Sequence, residues 1–218
     1  QIKVDMGAVF APDSGRYQPM VLVNEEILMV QAGKTGRIKV QTFCGAAAKH
    51  CPARDHHYRW QSVMPDTLLP VLRFIKQNNL FDDLGQSAIW AITNDKSADL
   101  SGVYDYARPE LSSRLLALVC KAVGKPMPDY HTVNAPMQQI PDQPAYVPKP
   151  LKIMATFQQI LTAPKTLTLG VYNEKGVMVQ KVFENQEFRA AGHEFGVEFE
   201  AADVPAGRAN CQALKISR

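Results

Sequence analysis

The stretch Gly85-Gln86-Ser87-Ala88-Ile89-Trp90-Ala91 decides how the first half of this chain is read. A Gln opens a short apolar helix, over roughly 86–93, that carries a Trp near its end. Upstream, Arg37-Ile38-Lys39-Val40-Gln41-Thr42-Phe43 alternates polar and apolar residues, which predicts a strand with one buried face. Directly after it comes Cys44, in Phe43-Cys44-Gly45. A thiol and a carboxamide are groups that can condense: sulfur attacks the amide carbon and ammonia leaves, a form of covalent nucleophilic chemistry. The plainer reading is that Gln86 caps or hydrogen-bonds near a helix start while Ala88, Ile89 and Trp90 fill a core. The residues by themselves leave both open.

Outward from this stretch, strands come first and helices after. Gln1 to Asp5 alternates as a strand would, and Val21-Leu22-Val23 and Ile27-Leu28-Met29-Val30 flank Asn24-Glu25-Glu26. Asp66 is placed to N-cap a helix carrying Leu68, Leu69, Leu72, Phe74 and Ile75, with Pro70 in its first turn. A further helix has Pro109 in its first turn, shows an apolar set of Leu111, Leu115, Leu116, Leu118, Val119 and Val123, and stops at Gly124, a good C′ residue. Cys120 falls in its apolar stripe and reads as core. This half is therefore a mixed α+β module. The order of a Cys after a strand and a Gln before an aromatic-ended apolar helix resembles bacterial surface thioester adhesin domains, over about residues 38–123. That resemblance implies Cys44 and Gln86 as a thioester pair whose acyl group a partner's Lys amine attacks.

Proline divides the chain. Pro126, Pro128, Pro136, Pro141, Pro144, Pro148 and Pro150 are almost half of the 15 prolines. Each removes a backbone donor and disfavours helix before it, so 134–150 reads as an extended linker between a module over 1–133 and a second domain over 151–218. The second domain has no helical periodicity. Its expected strands are 152–159, 166–172, 177–183, 193–199 and 209–216, with turns at Asn173-Glu174-Lys175-Gly176 and Pro205-Ala206-Gly207. Short strands at this spacing predict a small antiparallel β-sandwich. The order Leu169-Gly170-Val171-Tyr172-Asn173-Glu174-Lys175-Gly176, then Ala191-Gly192-His193-Glu194-Phe195, then Val204-Pro205-Ala206-Gly207 resembles the Ig-like module of flagellar hook-capping proteins and of type IX secretion C-terminal sorting domains. It departs in Arg208-Ala209-Asn210-Cys211, where that family has Tyr-x-Val. The resemblance implies an extracytoplasmic protein.

Composition is that of an ordinary globular chain: 218 residues, 46% hydrophobic and 21% charged, with a formal net charge of +3. Lys and Arg form no run, which argues against a nucleic-acid partner. No apolar stretch reaches the roughly 18 residues that span a bilayer. The opening at Gln1 reads as trimming, by signal-peptide removal or by choice of fragment. Four cysteines are too few for a disulfide scaffold, though Cys44 and Cys51 are candidates for one small-loop disulfide. The same loop holds His50, His56 and His57. Thiolate and imidazole suit zinc or copper, but the spacing fits no standard ligand pattern.

Other chemistry is excluded more firmly. Gly85-Gln86-Ser87-Ala88-Ile89 lacks the closing Gly of a nucleophile elbow. Gly33-Lys34-Thr35 ends like a phosphate loop, but Leu28 stands where the first Gly belongs. Asp82-Asp83 and Glu25-Glu26 read as solvated pairs. The expectation is a secreted or cell-surface, non-enzymatic protein without cofactor, serving adhesion, surface assembly or scaffolding, such as a subunit of an appendage or filament. Its partner is another protein or a second copy, with no nucleic acid and no transmembrane segment. The alternative is an extracytoplasmic protein that binds a metal or small ligand through loop 44–57.

Overall fold

A computed structural model describes residues 1–94, 99–137, 140–143, 150–172 and 176–201. The fold is mixed α+β, with three α-helices and several antiparallel sheets among the described residues. The chain divides into two compact units, residues 1–127 with 135–149, and residues 128–134 with 150–218. The proline-rich stretch is thus shared between them. His131–Asn134 pairs as a strand with Pro150–Ile160, whereas Asp142 and Gln143 exchange backbone hydrogen bonds with Cys51 of the first unit.

In the first unit, β1 (Ile2–Val4) pairs with β4 (Glu26–Leu28) in a two-stranded ladder. A four-stranded antiparallel sheet runs in the order β5 (Thr42–Cys44), β3 (Met20–Leu22), β2 (Ala8–Pro12), β6 (Tyr58–Val63). The strand expected over 37–43 is largely absent. Only its last two residues join β5, and Ile38 and Val40 are exposed instead of facing a core. Alternation over that segment reports no buried face, because among the described residues no strand pairs with 37–41.

Helix α1 (Leu69–Gln77) follows a 3₁₀ turn over Asp66–Leu68. Asp66 therefore does not cap α1: Leu68 stands at that position without a side-chain cap, and Pro70 lies in the first turn as its missing N–H allows. Helix α2 (Asp83–Thr93) begins a turn earlier than the apolar pattern indicated. Its N-cap is Asp82, whose carboxylate accepts the N–H groups of Leu84 and Gly85 at 3.1 and 3.3 Å. Gln86 thus lies inside the helix, one turn past the cap, and it does not open or cap it. Helix α3 (Pro109–Val123) ends as the sequence predicts, with Gly124 at φ +67°. Val71, Leu72 and Ile75 of α1, Leu84 and Ile89 of α2, and Leu115, Leu116 and Val119 of α3 bury one face each in a single core with Val21 and Phe43 of the sheet. Cys120 lies in that core, as its place in the stripe implied.

The second unit carries two antiparallel sheets. One pairs β9 (Lys165–Tyr172) with β10 (Met178–Phe188); the other runs β11 (Gly192–Glu200), β8 (Pro150–Ile160), β7 (His131–Asn134). β7 has no counterpart in the sequence reading, because its HTVN is too short to show a period. Side chains of both sheets meet around Phe195, whose ring lies 5.2–5.8 Å from those of Phe157, Phe183 and Phe188. Residues 173–175 of the expected hairpin turn, the 205–207 turn and the strand over 209–216 lie outside the described residues.

Candidate functional site

β5 is an edge strand of its sheet among the described residues: β3 covers one side, and α2 packs against it as well. An edge strand leaves N–H and C=O groups that must find partners when buried. At Cys44 the partner is the side chain of Gln86. Oε1 accepts the Cys44 N–H at 3.0 Å, and Nε2 donates to the Cys44 carbonyl at 2.8 Å. A carboxamide satisfies a backbone donor and acceptor at once in only one orientation, so the amide face is fixed. Gln86 is 4% exposed and stands in for the peptide group of an absent neighbouring strand.

Gly85 makes this approach possible. A Cβ there would sit 2.0 Å from the Leu80 carbonyl oxygen and 2.9 Å from the Phe43 ring. Only a residue without a side chain lets α2 close to this distance beside Phe43 of β5.

A second carboxamide holds the same turn from the other side. Gln18 is fully buried. Its Oε1 accepts the Ala46 N–H and the Trp90 indole N–H, both at 3.2 Å, and its Nε2 points at the Cys51 sulfur at 3.9 Å. Between the two, Gly45 donates to the Pro19 carbonyl at 2.7 Å. Gln86 and Trp90 lie four residues apart on one face of α2, so a single helix face meets the turn at both carboxamides. Sequence reasoning missed Gln18 altogether. Its signal, a Gln between Tyr17 and Pro19, does not differ from that of any surface loop.

Cys44, Cys51 and Trp90 form one small buried cluster, with Met20, Ala47 and Met137 packed against it. Cys44 and Cys51 are both buried thiols, so the disulfide considered between them is not formed in this structure. Burial, with a smaller contribution from Cys51, pushes the Cys44 thiol up to about 12. Burial raises Cys51 as well, against a lowering from the Gln18 bond. Tyr58, whose hydroxyl donates to the Gln18 carbonyl at 3.2 Å, is pushed up to about 12 by burial and by the nearby Cys44, Tyr17 and Cys51. Both thiols are thus buried and held in the protonated form at neutral pH.

The histidines do not assemble around the thiols as ligands. Among the described residues no group of three or more His, Cys, Asp or Glu side chains is placed to hold a metal ion. His56 Nδ1 accepts the Ala53 N–H at 3.0 Å, and its ring lies 3.7 Å from that of Tyr17. His50 Nδ1 lies 3.3 Å from Arg16 Nε and 3.1 Å from the Asp142 carbonyl. One tautomer accepts from the arginine and the other donates to the carbonyl, so a single neutral form makes one bond or the other. His57 is exposed and offers its carbonyl to the Asp13 N–H. Tyr17, His50 and Cys51 instead hold the segment 140–143: the Tyr17 hydroxyl donates to the Asp142 carboxylate, His50 Nδ1 lies against the Asp142 carbonyl, Asp142 N–H donates to the Cys51 carbonyl, and Cys51 N–H donates to the Gln143 carbonyl.

The arrangement brings together two thiols and two carboxamides in a buried enclosure. Among the described residues the cluster of Cys44, Cys51 and Trp90 and the side chains packed on it carry no charged group, and none forms a metal-ligand set. No family model, curated protein or solved structure matches this chain.

Proposed function

We propose that this chain is a non-enzymatic extracytoplasmic protein of adhesion, surface assembly or scaffolding, and that Cys44 and Gln86 are the acyl pair of its first unit. The observation that carries the reading is the double hydrogen bond between Gln86 and Cys44, two residues 42 positions apart that are both buried. In the condensation, the Cys44 sulfur forms a bond to the Gln86 amide carbon and the carbon–nitrogen bond breaks. The thiol proton leaves on ammonia. The Cys44 N–H already bonds Oε1, where negative charge develops as the carbon becomes tetrahedral, so the backbone supplies one oxyanion donor. A primary amine on a partner protein then attacks the thioester. An amide bond to Gln86 forms and the Cys44 thiol is regenerated, so the chain is consumed and does not turn over.

The second unit is read as an Ig-like sandwich that carries or spaces the first. Two antiparallel sheets with a shared aromatic cluster around Phe195 support this. Among the described residues no helix is long and apolar enough to cross a membrane. The deciding experiment is intact mass on the full chain. A mass short by one ammonia, restored in Cys44→Ala and restored with an added amine after methylamine treatment, is the expected result. A full-weight chain with an unmodified Gln86 peptide sinks the acyl pair.

A further inference from the structure

The stretch from Met29 to Gln41 joins β4 to β5 with no helix or strand of its own. Connections of about a dozen residues without secondary structure are uncommon in compact units and are usually functional. This one is shaped by its own packing. Gln31–Lys34 closes a turn in which the Lys34 N–H donates to the Gln31 carbonyl at 3.0 Å and Gly33 takes φ +72°. On the return, Gly36 runs so close to the outgoing arm that a Cβ there would sit 2.7 Å from Val30 Cγ2 and 3.2 Å from the Leu28 methyl groups. Leu28 and Val30 are half-buried; Ile27 and Met29, which alternate with them, are 51% and 74% exposed. On the returning arm Ile38 and Val40 are exposed too, alternating with exposed Arg37 and Lys39.

The charges along this part of the chain have one sign. Lys34, Arg37, Lys39, Lys49 and Arg54 fall between residues 27 and 54, and none of the chain's 21 Asp and Glu does. Among the described residues Lys34, Arg37 and Lys39 make no ion pair, whereas Lys3 of the adjoining β1 is held by both Asp5 and Glu25. Exposed cations without carboxylate partners complement an external anion. A soluble polyanion would use the cations and leave Met29, Ile38 and Val40 in water. An anionic bilayer surface uses both: apolar side chains enter the acyl boundary, and Lys and Arg stems lie along it with their charges among the headgroups.

We propose that loop 29–41 docks this chain peripherally on an anionic lipid surface, with Met29, Ile38 and Val40 entering the acyl boundary and Lys34, Arg37 and Lys39 meeting the headgroup phosphates. The docking does not depend on the Cys44–Gln86 pair, and a full-weight mass leaves it standing.

The test is sedimentation of the full chain with vesicles of mixed phosphatidylglycerol and phosphatidylcholine, and with vesicles of phosphatidylcholine alone. Wild type is expected to bind the mixed vesicles and to leave the neutral ones. Lys34→Gln, Arg37→Gln and Lys39→Gln together are expected to weaken binding about a hundredfold, at about fivefold per cation near an anionic surface. Met29→Ser, Ile38→Ser and Val40→Ser together keep every charge and are expected to weaken it at least about tenfold, the equivalent of burying one such side chain. Lys76→Gln, Lys121→Gln and Lys125→Gln together remove three exposed cations outside the loop and are expected to stay within about threefold of wild type, because screening confines the attraction to charges near the surface.

A control triple as weak as the loop triple would trace binding to net charge and overturn the proposal. A serine triple that binds like wild type would overturn the lipid surface as the occupant and point to a soluble polyanion, which binding to heparin would read directly. One readout uses the unaltered chain and decides even if a variant fails to fold. Dilute peroxide oxidises methionines according to their exposure, and both Met29 and Met127 are exposed. On mixed vesicles the oxidation of Met29 is expected to slow severalfold while Met127 keeps its solution rate. Met29 oxidised as fast on vesicles as in solution, or a wild-type chain that does not sediment with mixed vesicles, overturns the proposal.

Discussion

The carboxamide of Gln86 is bonded on both sides to the backbone of Cys44, at 3.0 Å through its oxygen and 2.8 Å through its nitrogen. A helix side chain thereby finishes the hydrogen bonding of a sheet edge. This one relationship ties α2 to β5 and places a carbonyl carbon beside the residue that carries a thiol.

Its first consequence is for stability. Gln86→Met keeps the volume and removes both bonds, leaving a buried N–H and a buried C=O without these partners. The expected cost is roughly 2–4 kcal/mol, the range for two unsatisfied buried groups after some relaxation. Gln86→Glu does not rescue it, because a carboxylate accepts from the Cys44 N–H but sets a second oxygen against the Cys44 carbonyl. Urea unfolding at neutral pH measures both. Equal stability of Gln86→Met and wild type would mean that the edge is satisfied in some other way.

Gly85 tests the close approach separately. Gly85→Ala puts a methyl group 2.0 Å from the Leu80 carbonyl oxygen, a backbone atom that no rotamer change can move. Helix α2 must shift, at an expected cost of about 3 kcal/mol, at the upper end of overpacking effects. A shift also lengthens the Gln86–Cys44 bonds. The ammonia loss expected of the wild type should therefore fall in Gly85→Ala even at temperatures where the variant is folded. Thermal unfolding and intact mass on one sample read the two effects together.

The cap of α2 is a milder handle. Asp82→Ala removes acceptors for the Leu84 and Gly85 N–H groups, together with the 2.7 Å contact to Arg108. It is expected to cost about 1–2 kcal/mol. Asp82→Asn keeps a capping oxygen and loses only the charge facing Arg108, and exposed pairs of this type contribute at most about 1 kcal/mol. The asparagine variant should lie between wild type and alanine in denaturant midpoint. Asparagine as damaging as alanine would assign the stabilisation to the ion pair.

The sequence carried the helices well and the small strands poorly. Helix α3 is legible at both ends, because Pro109 and Gly124 mark backbone states that few other residues tolerate. Residues 152–159, 166–172 and 193–199 read as strands and lie within β8, β9 and β11, where the runs are long enough to show. β2 and β6 went unread. β6 is exposed from Arg59 to Val63, so its sequence carries no burial period to detect. The segment over 37–43 failed in the opposite sense, showing a period although Ile38 and Val40 are exposed. At the site, Cys44 and Gln86 were legible as chemical types. Gln18 was not, because its role depends on three contacts from distant parts of the chain.

The state of Cys44 also sets a pH dependence. In the thiol form, burial holds its pKa at about 12, while an unfolded chain has the ordinary cysteine value near 8.5. As pH rises past that ordinary value, the unfolded state loses its proton first and so binds fewer protons than the folded state. Stability contributed by the neutral buried thiol is complete below the unfolded pKa. It declines as pH climbs toward the folded one, with a limiting slope of about 1.4 kcal/mol per pH unit for one proton. Cys44→Ala has no such proton, and neither does a chain whose sulfur is acylated by Gln86. Urea unfolding of the full-weight thiol chain between neutral and strongly alkaline pH should therefore fall more steeply than that of Cys44→Ala. Cys51, Cys120 and Tyr58 titrate upward as well and act as a common background in both. Parallel curves would show that Cys44 is not held as a neutral buried thiol. Intact mass on the same samples then says whether an acyl bond had already taken its proton away.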